Sequence, residues 1–315
     1  MQRKKNSALI GSIQKFSIED GPGIRTTIFL KGCPLACKWC HNPELIKPQQ
    51  ELMRTRNNCI GCGYCVRVCP QKAIRMEREE GVVIDRTLCN NCMLCAEQCF
   101  AKALRPVASE MTVEEVIRIA AQDKGFYDNT GGGITISGGE LLKQAAFVER
   151  LIDAAAEEKI SACLDTSGYG DTKALLKLAK KETVTNILFD IKSVDDDIHR
   201  AYTGVSNALI LENLRALCSE ARIREKITLR MPLIKDVNDG MELIERTAAL
   251  YKAQKLKKVD LLPYHNLGIG KQRNIGGTQK ELKNRQRNIL RKSRSFLITL
   301  QKWKWEFMEE HKHII

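Results

Sequence analysis

Short apolar segments alternate with longer helical segments along most of this sequence. Residues 26–30, Thr-Thr-Ile-Phe-Leu, are rich in residue types that favour strands, and five later segments have a similar character. Thr112 and Glu115 form a capping box, which marks the start of a long helix. The predicted strands are 26–30, 134–137, 161–165, 186–191, 226–231 and 259–263. The predicted helices are 112–123, 145–158, 173–181, 195–202, 207–222 and 241–256.

Strands that alternate with helices in this way predict an α/β protein with a parallel sheet and right-handed crossovers. The candidate folds are a full or partial (β/α) barrel and a doubly wound sheet. In a barrel, the active site forms at the C-terminal ends of the strands. Polar motifs follow several of the predicted strands, which fits a site at that edge.

Cysteine changes this picture more than any other residue type. The chain has 13 cysteines in 315 residues, and its start lacks the uninterrupted apolar segment of a secretion signal. We therefore expect a cytoplasmic protein, in which metal binding is favoured over disulfides. Cys163 and Cys218 stand alone in apolar surroundings and are predicted to be ordinary buried thiols. The other eleven form three groups: Cys33, Cys37 and Cys40; Cys59, Cys62, Cys65 and Cys69; Cys89, Cys92, Cys95 and Cys99.

The second and third groups have the spacing of bacterial ferredoxins that hold two [4Fe–4S] clusters. In such a run the first three cysteines bind one cluster and the fourth binds the other. Phe100 stands where the run normally has proline, but that proline is not a ligand. Zinc is the alternative for cysteine pairs of this spacing, although two complete runs favour iron–sulfur. The spacing predicts one cluster on Cys59, Cys62, Cys65 and Cys99, and another on Cys89, Cys92, Cys95 and Cys69.

The first group offers only three thiolates, which would leave one iron of a cubane open for chemistry. Its spacing, in the segment 32–42, resembles the radical S-adenosylmethionine (SAM) superfamily. The resemblance implies a third [4Fe–4S] cluster whose open iron is chelated by SAM. It also implies that the reduced cluster passes one electron to SAM, which yields a 5′-deoxyadenosyl radical. The alternative, a zinc or structural site, is disfavoured by the motifs downstream.

Polar motifs at the strand ends match positions that surround SAM in this superfamily. Glycines at 138 and 139 follow a strand and let the backbone approach a ligand closely. Leu141 stands where the superfamily usually has proline. Residues 190 and 192 are two apart on a strand and so point to the same face. The resemblance implies a site for SAM and a monovalent cation, to which we assign Gly138, Gly139, Glu140, Asp165, Thr166, Asp190, Lys192, Arg230 and His265.

The segment 20–25, Asp-Gly-Pro-Gly-Ile-Arg, and the Thr-Gly pair at 203–204 resemble the activating enzymes of glycyl radical enzymes. This resemblance, over residues 8–275, implies a glycyl radical enzyme as protein partner, from which a glycine hydrogen atom is removed. It also implies an electron donor of the flavodoxin or ferredoxin type. We predict that the segment is an exposed loop that grips the partner, through Asp20, Gly21, Gly23 and Arg25. The alternative is a tight turn that serves only the following strand.

Together these features predict a partial (β/α)6 radical SAM barrel with a bacterial ferredoxin-like insert. The barrel is assigned to residues 1–50 and 106–315, and the insert to residues 51–105. A radical SAM enzyme that acts on another peptide or a small molecule is the alternative function. An electron-transfer protein is a third interpretation, but an electron carrier needs neither the open cluster nor the SAM motifs.

Net charge and hydropathy indicate whether the chain binds nucleic acid, another protein or a membrane. The net charge of +13 raises the question of nucleic-acid binding. However, the sequence has no helix-turn-helix or stacking-aromatic motif, and a basic surface can equally attract an acidic protein. No run of 18 apolar residues is present, so we expect no membrane span. The basic tail, residues 278–315, has no predicted role.

Overall fold

The structure is a computed structural model and describes residues 6–283 of the chain. Its strands are β1 (Ser7–Ser17), β2 (Arg25–Leu30), β3 (Leu52–Arg54), β4 (Ile74–Glu77), β5 (Gly81–Ile84), β6 (Leu104–Pro106), β7 (Ser109–Thr112), β8 (Gly133–Gly138), β9 (Ser161–Thr166), β10 (Val184–Asp190), β11 (Ile227–Leu233) and β12 (Lys258–Pro263). Most of the tail, residues 284–315, lies outside the described residues.

The helices are α1 (Tyr64–Val68), α2 (Leu94–Glu97), α3 (Val113–Ala120), α4 (Lys124–Thr130), α5 (Ala145–Glu157), α6 (Thr172–Lys180), α7 (Asp196–Thr203), α8 (Ala208–Cys218), α9 (Ala221–Arg224), α10 (Met241–Ala253) and α11 (Leu267–Asn274). The capping box at Thr112 is present and opens α3. The single helix predicted for 207–222 is two helices, because residue 220 adopts an extended conformation. Within the described part of the chain, no helix is both long enough and apolar enough to span a bilayer.

One eight-stranded sheet organises the molecule, with the strand order β12-β11-β10-β9-β8-β2-β1-β7. The six strands from β2 to β12 in this order are parallel neighbours, and they follow one another as they do in the sequence. In a doubly wound sheet, the strand order would start in the middle of the sheet and reverse part-way. The unbroken order seen here therefore confirms the partial (β/α)6 barrel. The antiparallel strands β1 and β7 extend the sheet beyond β2.

The two faces of the parallel strands differ in chemistry. Alternate residues, such as Ile136, Leu164 and Phe189, join a core of forty buried residues that includes residues of the surrounding helices. Because side chains alternate along a strand, the residues between them point to the other face. That face carries Ser137 and Asp165, which hydrogen-bond to each other. The sheet therefore presents polar groups on the side away from its main core.

The cysteine runs fold into a small unit between the first cysteine loop and β7. Strands β3 and β6 pair at its base, and β4 pairs with β5 inside it. This unit has its own small core, formed by Leu52, Ile74, Val82, Cys95 and Leu104, against which cysteines of both runs pack. The second core supports our division of the chain at residues 51 and 105, which we retain as a proposal.

Candidate active site

The three-cysteine loop leaves β2 and is held by backbone hydrogen bonds from several directions. The Cys33 amide donates to the Ile46 carbonyl at 2.7 Å, which folds the loop back on itself. The Ala36 amide donates to the Thr203 carbonyl at 2.8 Å, and the Lys38 amide donates to the Tyr202 carbonyl at 2.9 Å. The end of α7 therefore fixes the middle of the loop. The Thr-Gly pair at 203–204 is therefore in direct contact with the cysteine loop.

The thiols of this loop lie close enough to influence one another's protonation, and the three cysteines are half-buried. Burial raises the pKa of Cys37 to about 12, although the nearby Lys192 ammonium opposes this shift. Burial also raises the pKa values of Cys33 and Cys40. A metal must displace these protons, since only the thiolate is a ligand. Three soft sulfur donors beside a buried cation form a donor set that fits an iron–sulfur cluster with one open iron.

The glycine pair after β8 brings this loop against the cysteine loop. The Gly139 amide donates to the Leu30 carbonyl and the Glu140 amide donates to the Gly32 carbonyl, both at 2.8 Å. A side chain at Gly139 would collide with the Gly32 carbonyl oxygen, and Gly138 has a φ of +114°. Both positions therefore require glycine in this packing.

Glu140 is fully engaged within the protein. One of its carboxylate oxygens accepts from the Thr166 hydroxyl at 2.6 Å and the Leu142 amide at 3.1 Å. The other accepts from the Ser167 hydroxyl at 2.6 Å and the Ser167 amide at 2.9 Å. Burial raises the pKa of Glu140, while these hydrogen bonds favour the ionised form. The side chain thus ties the end of β9 to the glycine loop.

Asp165 and Arg230 form an ion pair on the polar face of the sheet. The Arg230 guanidinium donates to Asp165 at 3.2 Å, and the Ser137 hydroxyl donates to the other carboxylate oxygen at 2.6 Å. Burial raises the pKa of Asp165 and the Arg230 charge opposes that shift. Burial opposes protonation of Arg230, but Asp165 and Asp190 outweigh it and raise its pKa. Four adjacent strands, β8 to β11, thus contribute to one polar network.

Asp190 and Lys192 form a second pair beside the first. The Lys192 ammonium donates to one Asp190 oxygen at 2.6 Å. Burial opposes its protonation, but Asp190 and the Cys37 thiol outweigh burial, so the pKa of Lys192 lies above the ordinary lysine value. The other Asp190 oxygen is buried and lacks a hydrogen-bond partner among the described residues. A buried unpaired carboxylate oxygen beside the cysteine loop is a fitting ligand for a cation or a polar cofactor group.

His265 lies just past β12, where it meets the cysteine loop. Its ring stacks on His41, with ring centroids 3.5 Å apart and an interplanar angle of 21°. Within the described part of the chain, its Nδ1 atom is buried without a hydrogen-bond partner. Burial lowers the pKa of His265, and it lowers that of His41 to about 4. Two neutral rings with an unpaired nitrogen are suited to contact a planar polar ligand.

The loop that precedes β2 is partly exposed, but its last residue is not. Arg25 is 0% exposed. It donates to the Thr135 hydroxyl at 2.7 Å, and to the Pro22 carbonyl of the loop at 3.0 Å. The Asp20 carboxylate accepts from the Thr27 hydroxyl at 2.7 Å. The sequence prediction of an exposed loop therefore does not extend to Arg25, which is a buried support for the loop.

The two ferredoxin-like runs repeat the same local geometry. In each, a short helix follows a residue with positive φ, Gly63 before α1 and Met93 before α2. Cys65 lies near Cys59 and Cys62, and burial raises its pKa. Burial also raises the pKa of Cys95 to about 12, with contributions from Cys89, Cys65, Cys69 and Cys92. The proximity of Cys69 to the later run fits the predicted exchange of the fourth ligand. We name the group of Cys59, Cys62, Cys65 and Cys99 the first auxiliary site, and the group of Cys89, Cys92, Cys95 and Cys69 the second.

Comparison with known families decides between the alternatives. The radical SAM superfamily profile matches residues 87–248, a 4Fe-4S dicluster domain matches 58–103 and a 4Fe-4S single cluster domain matches 19–61. An isethionate sulfite-lyase activating enzyme of Oleidesulfovibrio alaskensis is 43% identical over 272 residues, or 85% of this chain and 87% of that protein. A (2S)-3-sulfopropanediol dehydratase activating enzyme of Klebsiella oxytoca is 40% identical and covers 85% of both chains.

The chain belongs to the glycyl radical enzyme activating enzymes of the radical SAM superfamily. The cluster profiles decide for iron–sulfur over zinc and, with the superfamily, for SAM as a cofactor. A radical SAM methyltransferase of Sphaerobacter thermophilus shares the fold, with a TM-score of 0.52 and 14% identity over 96% of this chain and 76% of that one.

Sequence reasoning about this activating enzyme missed several supports of its site. Ser137 and Ser167 hold Asp165 and Glu140 in place. Ser137 could have been found, because it alternates with apolar residues on β8. Lys31 forms a buried ion pair with Glu51 at 3.1 Å, which ties the cysteine loop to the start of the insert. No sequence signal joins these two residues, which are 20 positions apart.

Proposed function

We propose that this activating enzyme binds SAM at the C-terminal edge of the barrel and uses it to remove a hydrogen atom from a glycine of its partner enzyme. When bound, SAM and the iron–sulfur group supply the one-electron chemistry that breaks a carbon–hydrogen bond. The observation that carries this proposal is the unpaired Asp190 oxygen beside the buried Lys192 and the three-cysteine loop. A polar cofactor bound at this edge would reach all three, which supports the proposal.

The proposed roles of the site residues follow from their contacts. Cys33, Cys37 and Cys40 hold the catalytic cluster. Asp165, Thr166, Asp190, Lys192, Arg230 and His265 contact SAM or an accompanying monovalent cation. Gly138 and Gly139 give SAM close access to the backbone. Glu140 already accepts four hydrogen bonds, so we assign it to positioning this loop.

The remaining cofactors and partners are part of the same proposal. Eleven thiols in three groups correspond to three [4Fe–4S] clusters. The low-potential electron would come from a flavodoxin or ferredoxin. The protein partner is a glycyl radical enzyme, and the first two to test are isethionate sulfite-lyase and 3-sulfopropanediol dehydratase, because activators of these enzymes are 43% and 40% identical to this chain.

The test is the variant Asp190→Asn, compared with Asp171→Asn as a matched control. Asp171 caps α6 through a hydrogen bond that asparagine also accepts. Asp190→Asn removes the carboxylate charge that the Lys192 ammonium contacts, so we expect SAM affinity to fall at least about tenfold. Equilibrium dialysis measures binding, and product analysis measures methionine and 5′-deoxyadenosine.

Electron paramagnetic resonance on the partner then measures the glycyl radical. Unchanged SAM affinity in Asp190→Asn would contradict the assigned site. SAM cleavage by the unmodified enzyme without a radical on any glycyl radical enzyme tested would support the alternative of another peptide or small-molecule substrate.

A further inference from the structure

We propose that an acidic one-electron carrier protein docks on an entry face formed by Ile60, Arg67, Phe100 and Lys102, beside the first auxiliary site. Electrons then reach the second auxiliary site before the catalytic cysteines. The inference rests on the proposed function, because it assumes that reduction drives the chemistry. It assigns different tasks to two cysteine runs that have nearly the same local geometry.

The entry face combines exposed apolar groups with a nearby ligand set. Phe100 is 93% exposed and directly follows Cys99, and Ile60 is 75% exposed and directly follows Cys59. Proline usually occupies the position of Phe100 in such a run, so the aromatic ring is not required by the ferredoxin fold. Because Cys59 and Cys99 are assigned to one site, the proposal places both side chains at that site, where an exposed apolar patch marks an interaction surface.

The charges on this face indicate the chemistry of the partner. Arg67 and Lys102 are both exposed, and residues 59–68 and 99–102 contain no acidic side chain. In the corresponding segments of the second auxiliary site, 89–98 and 69–72, Glu97 balances Lys72. The segments around the first site therefore carry a net positive charge, whereas those around the second site are neutral. Complementary charge steers association between redox proteins, so the expected carrier is acidic.

The glutamates nearest to the entry face leave this difference intact. Glu80 forms ion pairs with Arg54 at 2.9 Å and Arg56 at 3.0 Å. Glu77 forms an ion pair with Arg75 at 2.8 Å. Residues 78 and 79, an arginine and a glutamate, are both exposed and balance each other. Glu80 can neutralise only one of Arg54 and Arg56, so these residues add a further positive charge and do not offset Arg67 and Lys102.

The second auxiliary site faces the barrel instead. Arg86, whose charge acts on Cys89 and Cys95, donates to the Asn274 carbonyl at the end of α11 with a distance of 3.2 Å. At the start of α11, Gly268 packs so closely on the Cys40 carbonyl that a side chain there would collide with it. A helix of this length spans about 12 Å. One short helix thus connects the surroundings of the second auxiliary site to the catalytic loop.

The proposed electron path balances at each transfer. The reduced carrier loses one electron and is oxidised, and the group on Cys59, Cys62, Cys65 and Cys99 is reduced. That group returns to its oxidised state as the group on Cys89, Cys92, Cys95 and Cys69 is reduced. The electron then passes to the group on Cys33, Cys37 and Cys40. No bond to the protein forms or breaks in these steps.

Lys102 and Lys72 provide a matched pair for the test. Lys102 follows Cys99 and Lys72 follows Cys69, their φ angles are +53° and +49°, and each amide donates to the carbonyl of that cysteine. Lys102→Glu and Lys72→Glu therefore introduce the same charge change and the same backbone strain. They differ in which auxiliary site they adjoin.

The experiment follows reduction of the reconstituted protein by reduced flavodoxin, an acidic flavin carrier, in a stopped-flow spectrometer without partner enzyme. We expect Lys102→Glu to slow reduction about tenfold at low ionic strength, with a smaller difference at high salt. Lys72→Glu should change the rate less than about twofold. Photoreduced deazaflavin, which needs no docking, should reduce both variants like the unmodified protein.

Any other result of these measurements would contradict one part of the docking inference. Equal rates for the two variants would overturn the entry face, and a slower Lys72→Glu would overturn the order of the two sites. The iron content of both variants is measured to exclude loss of a cluster. Deazaflavin-driven SAM cleavage by the unmodified protein tests the proposed function separately. If that cleavage is absent, the proposed function fails, whereas if it is present and the variants are equal, only the docking inference fails.

Discussion

The barrel and the ferredoxin-like insert are stabilised by different means. The barrel core has forty buried residues between its sheet and helices. The insert core has five, with the cysteines themselves packed around it. The longest strands of the insert have four residues, whereas β10 and β11 of the barrel have seven. The barrel therefore resembles an ordinary α/β domain, and the insert resembles a small metal-dependent domain.

This difference has consequences for how each ligand site is prepared. Small domains bury too little apolar surface to be stable alone, and a bound metal can supply the missing free energy. In the barrel, the charged groups are already paired with one another, as in Asp165–Arg230 and Asp190–Lys192. The barrel site should therefore persist without cofactors, while the auxiliary sites should form only as the clusters bind.

The largest expected effect comes from removing iron. We expect an anaerobic chelator to remove the protection of backbone amides from hydrogen exchange throughout residues 55–103, because the five-residue core cannot hold the unit together. Amides of β8 to β11 should keep their protection, since they rely on the barrel core. Hydrogen exchange followed by mass spectrometry measures both regions in one sample. Reconstitution, which should restore about 12 Fe per chain, should also restore protection in the insert.

Two results would break the comparison. Protection that survives in the insert after complete iron removal would show that its small core is sufficient. Loss of protection in the barrel strands as well would show that the clusters hold the whole molecule together. A variant with Cys33, Cys37 and Cys40 replaced by alanine separates the sites, because it should lose about four irons and all SAM cleavage while the insert stays protected.

A smaller effect should follow from breaking one barrel ion pair. Asp165→Asn leaves the Arg230 guanidinium buried with less compensation, since it removes the carboxylate that Arg230 contacts and leaves the Asp190, Asp20 and Asp260 charges. We expect the free energy of unfolding of the barrel to fall by about 3 kcal/mol. The control, Asp128→Asn, removes an exposed ion pair with Lys124 within α4. It should change the free energy of unfolding by less than about 0.5 kcal/mol.

Amide exchange in β9 and β11 as a function of denaturant measures both variants. Equal effects of the two substitutions would mean that the buried pair does not stabilise the barrel before cofactors bind. The two regions would then depend on their ligands to a similar degree.

The parts of the fold that could be predicted from sequence are those set by local pattern. All six parallel strands were found, because each is a short apolar segment between helices, and Thr112 marked α3 through its capping box. The predicted lone buried thiols are confirmed, since Cys163 is 0% and Cys218 is 4% exposed. Asp165 and Asp190 could be placed at the same edge of the sheet, because each lies at the end of a predicted strand and parallel strands end at the same edge.

The parts that could not be predicted depend on contacts between distant segments. Strands β1 and β7 pair across about 100 residues, and nothing local in either requires the other. An arginine in a glycine-rich loop is usually exposed, but the hydroxyl of Thr135 and two backbone carbonyls satisfy Arg25 inside the protein. Tertiary hydrogen bonds, which the sequence pattern does not show, decided its burial.

The smallest expected effect concerns the loop that Arg25 supports, for which we propose a role in holding the partner. Gly21 has a φ of +120°, and a Cβ atom there would lie 3.1 Å from the Arg25 Cδ atom and 3.2 Å from the Cys163 Sγ atom. Gly21→Ala should therefore displace the loop at a strain of about 1 kcal/mol. Gly125→Ala is the control, because nothing lies within 4 Å of its Cβ position in α4, and it should stabilise the helix by about 0.5 kcal/mol. A shift of about 1 kcal/mol in the loop should lower the glycyl radical formed on the partner roughly fivefold. SAM cleavage without partner should stay unchanged in both variants, because the cysteine loop and the strand-end ion pairs are untouched. Full radical formation by a stably folded Gly21→Ala would show that this segment is only a turn leading into β2, and that the partner is held elsewhere.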